Sequence, residues 1–309
     1  MSYESDKLQA LTMPSRQQVE QSLLKAMFRH GGVIEEFAHG EKIVDELADD
    51  FQLSQDQRSA VLKTTYQKEN RVKKAYLWHR LLYRAADSLA RSGLISRPTE
   101  TFAVTGKKEW MLTENGFDRT LYLNGISLTK REQLSIKSLE TQKVAKEMLH
   151  SVFPIEYSPF DLSKNSKKSE NYSKVRARGF RQAVLQAYNN SCAFCGFKMP
   201  SPNGLTWGAD AAHIVPHSEM GRDDLWNGLS LCHLHHWAFD VGWLALGDDL
   251  TIQISSKIAG LPEGYGRIHG RKFIDNYSKT RYKACLPNNA ELRPHTNSVK
   301  WHRENIFFG

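Results

Sequence analysis

Two short ligand pairs constrain this chain more than any other feature: Cys192 and Cys195 in CAFC, and Cys232 and His235 in CHLH, with 36 residues between the pairs. Thiolate and imidazole donors suit tetrahedral zinc, and an ion that cross-links two turns organises a fold with little regular structure between its ligands. His233 competes for the fourth position, but His235 repeats the spacing of the first pair and is preferred. The competing reading is a pair of buried cysteines, an unbound histidine and redox chemistry at CAFC. Cys285 stands outside both pairs and is expected to pack against apolar neighbours.

The surrounding segment, DAAHIVPHSEMGRDDLWNGLSLCHLHHWAFD, gathers His213, Asn227, His236 and Asp240 in one 28-residue module. His213 can take a proton from water as a base, and Asn227 can orient that imidazole or brace its loop. His236 and Asp240 are spaced i, i+4, so one helix face can present both to a second metal. Zinc in a closed tetrahedral site holds the fold, whereas a hydrolytic ion needs open positions for a phosphate oxygen and water, so the two tasks fall to different residues. Mixed oxygen and imidazole donors fit Mg²⁺ or Mn²⁺ at the second site.

The 42 Lys and Arg exceed the 34 Asp and Glu for a net charge of +8, which makes a polyanionic partner physically reasonable. Four cysteines in 309 residues are too few for a disulfide scaffold, and the polar start MSYESDKLQALTMPSR lacks the apolar core of a secretory signal. No apolar run reaches the length of a membrane span. A cytoplasmic protein with no membrane partner is the expectation.

Upstream, SRQQVEQSLLKAMFRHGG places Val19, Leu23, Leu24, Met27 and Phe28 at helical spacing before paired glycines, and Ser54 with Gln57 can cap another helix. Residues 57–84 carry a local charge of +7, and an apolar helical pattern runs from Tyr76 to Gly93. The segment GLISRPTETFAVTGKKEWMLTENG reads as two short strands around a polar turn, with Trp78 and Trp110 as core aromatics. Helices followed by a small hairpin suggest a winged helix. One helix would enter a DNA major groove while the hairpin tip meets the backbone, so Arg71, Lys73, Lys74, Lys107 and Lys108 would serve one DNA-binding surface. The alternative is a solvated helical bundle. Residues 126–150 read as a polar helix, and the Pro, Ser, Asn and Lys of 151–174 as a linker. The helix VRARGFRQAVLQAY, with Phe180, Val184, Leu185 and Tyr188 inward, then delivers the first cysteine turn.

The motifs AHIVPH, NG, LC, HH and FD resemble those of the HNH, or ββα-metal, endonucleases over residues 176–309. The resemblance implies phosphodiester hydrolysis with His213 as base, Asn227 as its orienter and His236 and Asp240 as metal ligands, beside a zinc knuckle of Cys192, Cys195, Cys232 and His235. A common family pattern has an Asp or His ligand immediately before the base, where this chain has Ala212; either Asp210 approaches by a backbone bend to replace it, or the site relies on His236, Asp240, phosphate and waters and Asp210 is a structural surface residue. Residues 14–119 resemble the N-terminal winged-helix domain of Mrr-like restriction systems through MPSRQQVEQSLLKAM, WHRLLYRAADSLARSGLI and LTENG. The expected architecture is therefore α+β in two domains: a winged helix at 14–125, a connector at 126–174 and an HNH nuclease at 175–309. The expected activity is metal-dependent cleavage of double-stranded DNA, unmodified or modified, in a restriction or defence role. Arg222 is a candidate phosphate clamp, and a homodimer on DNA would bring two cutting centres to one duplex although no dimer motif is present. The alternatives are an inactive zinc-stabilised DNA-binding module and an antitoxin-like protein that binds another protein.

Overall fold

The structure is a computed structural model and describes residues 3–37, 40–66, 71–161, 170–268, 271–272 and 283–309. Its internal contacts divide the chain into two units, Met1–Gln142 and Lys143–Gly309. No helix among the described residues is long and apolar enough to cross a membrane.

The first unit holds α1 (Tyr3–Ala10), α2 (Arg16–Arg29), β1 (Val33–Ile34), α3 (Lys42–Asp50), α4 (Gln55–Ser59), β2 (Val61–Tyr66), β3 (Arg71–Tyr76), α5 (Leu77–Arg91), β4 (Ile95–Ser96), α6 (Pro98–Thr105), β5 (Trp110–Leu112) and α7 (Glu114–Leu123). Helix α2 starts at a capping box in which Ser15 accepts from the Gln18 amide and Gln18 returns the bond, and Ser54 and Gln57 do the same for α4. Val19, Leu23, Leu24, Met27 and Phe28 are all buried, as the periodicity requires. Trp78 and Trp110 are core residues: the Trp78 indole donates to Val44 O at 3.0 Å, and Trp110 stacks on Phe37. A three-stranded antiparallel sheet, in the order β1-β5-β4, completes the core.

Two local expectations are corrected, and the basic run before Tyr76 takes a definite form. Arg71, Lys73 and Lys74 lie on β3, which pairs with β2 from Val61↔Tyr76 to Tyr66↔Arg71, so these cations sit on a hairpin that precedes the helix. Thr64, Thr65 and Val72 favour the pleated backbone and override the charge pattern. The polar turn expected between β4 and β5 contains α6, with Pro98 at its start, Glu100 bonded back to the Arg97 amide at 3.0 Å and Gly106 in the left-handed region at its end; exposed Lys107 and Lys108 follow. The single helix expected over 126–150 is instead a 3-10 turn at Leu128–Gln133 followed by α8 (Leu139–Leu149). Buried Arg131 ties the first piece to α7 through Glu114 and Asp118, and the Ser138 hydroxyl accepts from the Thr141 amide at the start of α8.

The unit boundary falls within α8, inside the span read as a connector. Residues 151–161 pack in the second unit: Tyr157 is buried, donates to Asp224 Oδ1 at 2.8 Å and lies against Trp226 and His295. Residues 162–169 of the expected linker lie outside the described residues. The unit continues with α9 (Glu170–Ala187), β6 (Ala209–His213), β7 (Gly228–Cys232), α10 (His233–Asp240), β8 (Leu244–Leu246), β9 (Ile252–Ile254) and α11 (Thr296–Asn305). Strands β6 and β7 form an antiparallel pair from Ala209↔Cys232 to His213↔Gly228, and α10 follows directly, so strand, strand and helix make one ββα element. Phe180 and Val184 of α9 and Tyr188 just after it pack with Leu229, Leu231, Phe239 and Val299 in the core beneath it.

Candidate active site and zinc site

One ligand atom from each of Cys192, Cys195, Cys232 and His235 lies within 4.8 Å of all the others. The first pair sits in the turn after α9, held against β7 by the Ala193 amide donating to Ser230 O at 2.7 Å. Cys232 ends β7 and caps α10, and His235 occupies the first turn of that helix. His235 Nδ1 is 3.1 Å from Cys232 Sγ and 3.6 Å from Cys192 Sγ, so His235 and not His233 belongs to the cluster. Hydrogen bonds from the Cys192 and Cys195 sulfurs draw the Cys232 thiol down to about 3, and sharing among the same sulfurs pushes Cys195 up. Three soft sulfurs and one imidazole in this grouping fit a structural ion such as zinc, with no ligand left over for hydrolysis.

A separate open pocket of about 330 Å³ is lined by His213, His217, His236, Asp240 and His302. Strand parity decides what β6 contributes: Ala211 and His213 face the pocket, while Ala212 is completely buried in the core. The same parity turns Asp210 away from the pocket. Its carboxylate accepts from Arg181 Nε at 2.6 Å and from the Ala211 amide at 2.8 Å, and it does not line the pocket. On α10, His236 Nε2 and Asp240 Oδ2 are 3.5 Å apart, as i, i+4 spacing provides. Burial raises the Asp240 carboxyl above its usual range, and His236 and His213 oppose that shift.

Two contacts hold the His213 ring. Its Nε2 is 2.9 Å from Asp223 Oδ1, and Phe180 of α9 stacks on its face with centroids 4.3 Å apart and planes 21° from parallel. Gly228, opposite His213 in the strand register, permits that stack: a Cβ there would come within 2.6 Å of Val184 and 3.0 Å of the Phe180 ring. Asn227 is fully buried and braces the loop between the strands. Its Oδ1 accepts from the Val215 amide at 2.8 Å, and its Nδ2 donates to Val215 O and Arg222 O, both at 3.0 Å. Of the two roles open to Asn227, its hydrogen bonds thus match the loop brace, and the partner of the imidazole is Asp223.

His217, Asp223 and His302 are the residues that reading the motifs missed. His217 sits in the AHIVPH motif and meets the His213 ring edge to face at 6.3 Å. His302 comes from α11, stacks on Phe239 at 3.7 Å and donates from Nε2 to Phe239 O at 3.0 Å. Nothing local to α10 points to it. Burial pushes its imidazole down to about 4, so it is neutral near pH 7. Arg222 does not line the pocket and reaches toward Ser158 O and Asp224. Arg71, Lys73, Lys74, Lys107 and Lys108 belong to the first unit.

Residues 192–247 match the HNH endonuclease family. No curated protein sequence matches the chain. A solved structure described as a modification dependent TagI restriction endonuclease aligns with 45% of this chain and 44% of its own, less than half of each, at 20% identity and a TM-score of 0.30. The family match opens on the first cysteine of the Cys/His cluster and takes in His213, Asn227, His236 and Asp240, so the chain carries an HNH endonuclease domain at residues 192–247.

Proposed function

We propose that the chain is a divalent-metal-dependent endonuclease that hydrolyses phosphodiester bonds in double-stranded DNA, in a restriction or modification-dependent defence role. The observation that carries this reading is the single pocket shared by His213 of β6 and His236 and Asp240 of α10, with the sulfur cluster kept apart from it. His236 and Asp240 would hold the ion, and their imidazole and carboxylate donors fit Mg²⁺ or Mn²⁺. When bound, that ion supplies positive charge to the phosphate oxygens. His213 accepts the proton of the attacking water, and Phe180 and the Asn227-braced loop keep its ring in place.

Duplex DNA as substrate is supported by the net charge of +8 and by the first unit, whose helices and small antiparallel sheet suit a winged helix. The basic strand β3 and exposed Lys107 and Lys108 would contact phosphates there. The residues before the His213 motif favour a second reading, an inactive DNA-binding centre, because Ala212 is buried and Asp210 is bonded to Arg181.

A matched cleavage and metal-content assay separates the two. Wild type, His213→Ala and Asp240→Ala are incubated with unmodified duplex, modified duplex and RNA, with and without Mg²⁺ or Mn²⁺. Ion-dependent DNA cleavage by wild type alone, with zinc retained in all three proteins, is expected. DNA binding without cleavage by wild type on every substrate would establish the inactive centre, and equal cleavage by His213→Ala would remove His213 as base.

A further inference from the structure

The His213–Asp223 contact assigns the two nitrogens of the His213 ring. An ionised carboxylate only accepts hydrogen bonds, so the 2.9 Å contact requires His213 to carry its proton on Nε2 and leaves the lone pair on Nδ1. A half-turn of the ring about Cβ–Cγ would keep the stack on Phe180 but put a carbon in place of Nε2 and give up the Asp223 contact. Asp223 is itself held in place. It is only 6% exposed, its carbonyl accepts from Arg176 at 3.0 Å, and Asn227 ties the carbonyl of the preceding Arg222 at 3.0 Å. A loop this constrained places a buried carboxylate behind a pocket-facing imidazole, ten residues away in sequence.

We propose that Asp223 is a positioning residue that fixes the tautomer of His213, so that Nδ1 is the atom that takes the proton of the attacking water. The inference rests on the reading of His213 as base. In the step it serves, a water O–H proton passes to Nδ1, the water oxygen bonds to phosphorus, and the phosphorus–oxygen ester bond breaks. The leaving oxygen takes its proton from solvent. The imidazolium then keeps its Nε2 proton bonded to Asp223, which offsets the new charge. Asn227 serves the same end at one remove, by setting the loop that carries Asp223.

The test compares full-length wild type, Asp223→Asn, Asp223→Ala and His213→Ala by cleavage kinetics, DNA affinity, zinc content and ¹⁵N spectroscopy of the His213 ring. In wild type the ring should show the Nε2-protonated signature at a pH where it is neutral. In Asp223→Asn, where the amide group can donate to the ring, the Nδ1-protonated form should gain population. kcat should fall by about 10²- to 10⁴-fold, with KM for DNA and zinc content nearly unchanged. Wild-type cleavage by His213→Ala overturns the base reading itself. An inactive His213→Ala beside an Asp223→Asn of wild-type rate overturns the positioning role alone. A fall in kcat with no change of tautomer also overturns it. An Nδ1-protonated ring in the wild type does so without any cleavage measurement, and that spectrum decides the matter if the Asp223 variants do not fold.

Discussion

Acidification should loosen the joint between α11 and α10 through one residue, His302. Its ring lies on Phe239 at 3.7 Å, with Nε2 donating to Phe239 O, and its buried Nδ1 has no hydrogen-bond partner among the described residues. A second proton would create an unpaired buried donor and a buried charge, and desolvation accordingly lowers the pKa from 6.5 to about 4. Because the folded pKa is depressed, the unfolded chain binds the proton first as pH falls. The contribution is complete above about pH 6.5 and is lost on the way down to about 4. At about 1.36 kcal/mol per pKa unit, the loss by pH 4 is about 3 kcal/mol. Urea unfolding of wild type and His302→Gln at several pH values from 7 to 4 isolates this contribution, since the zinc ligands and carboxylates titrate in both proteins. The variant should start about 1 kcal/mol less stable for want of the aromatic stack and then lose less on acidification. Parallel pH profiles would refute the argument. Phe239 lies between His236 and Asp240 in sequence, so loosening the joint should also weaken divalent-ion binding.

Cys195→Ser should lower zinc below one ion per chain, and chelation of the wild type should unfold the second unit, because structural zinc binding is worth on the order of 10 kcal/mol; zinc analysis and calorimetry decide it. Asn227→Ala leaves the Val215 amide and the Val215 and Arg222 carbonyls without their side-chain partner, at roughly 1–3 kcal/mol for each buried group left unsatisfied. Its melting temperature and cleavage should therefore fall together, whereas Asp240→Ala should lose cleavage at nearly unchanged melting temperature. Replacing Arg71, Lys73 and Lys74 together by Ala should make the dependence of log DNA affinity on log salt shallower by about 0.9 for each phosphate contact removed. An unchanged slope in fluorescence anisotropy titrations would exclude these three residues from the DNA surface.

Local spacing by itself determined each half of the sulfur cluster and the His236–Asp240 pair. CxxC and CxxH each span a single turn, and i, i+4 residues share a helix face wherever the helix lies, so each pair is local; the two halves of the sulfur cluster meet only through the contact of the first turn with β7, where the Ala193 amide donates to Ser230 O. The same holds for α2 and α5, whose apolar periodicity and end signals are written into contiguous residues. Tertiary structure decided the rest of the pocket. His302 arrives from α11, 62 residues beyond Asp240 in the numbering, and Phe180, which stacks on His213 without lining the pocket, comes from α9, because both helices must bury an apolar face against the ββα element. Asp210 is removed by an alternation that can be read only once β6 is known to be a strand: residues three apart then point to opposite faces. The basic segment around Arg71 forms a hairpin with the strand just before it, where Thr64, Thr65 and Val72 favour the pleated backbone, a local signal that the run of charges obscured. Asp223 reached His213 for a nonlocal reason. The path of the loop between β6 and β7 is set by the buried Asn227 hydrogen bonds, and those bonds exist only when the two strands are already paired.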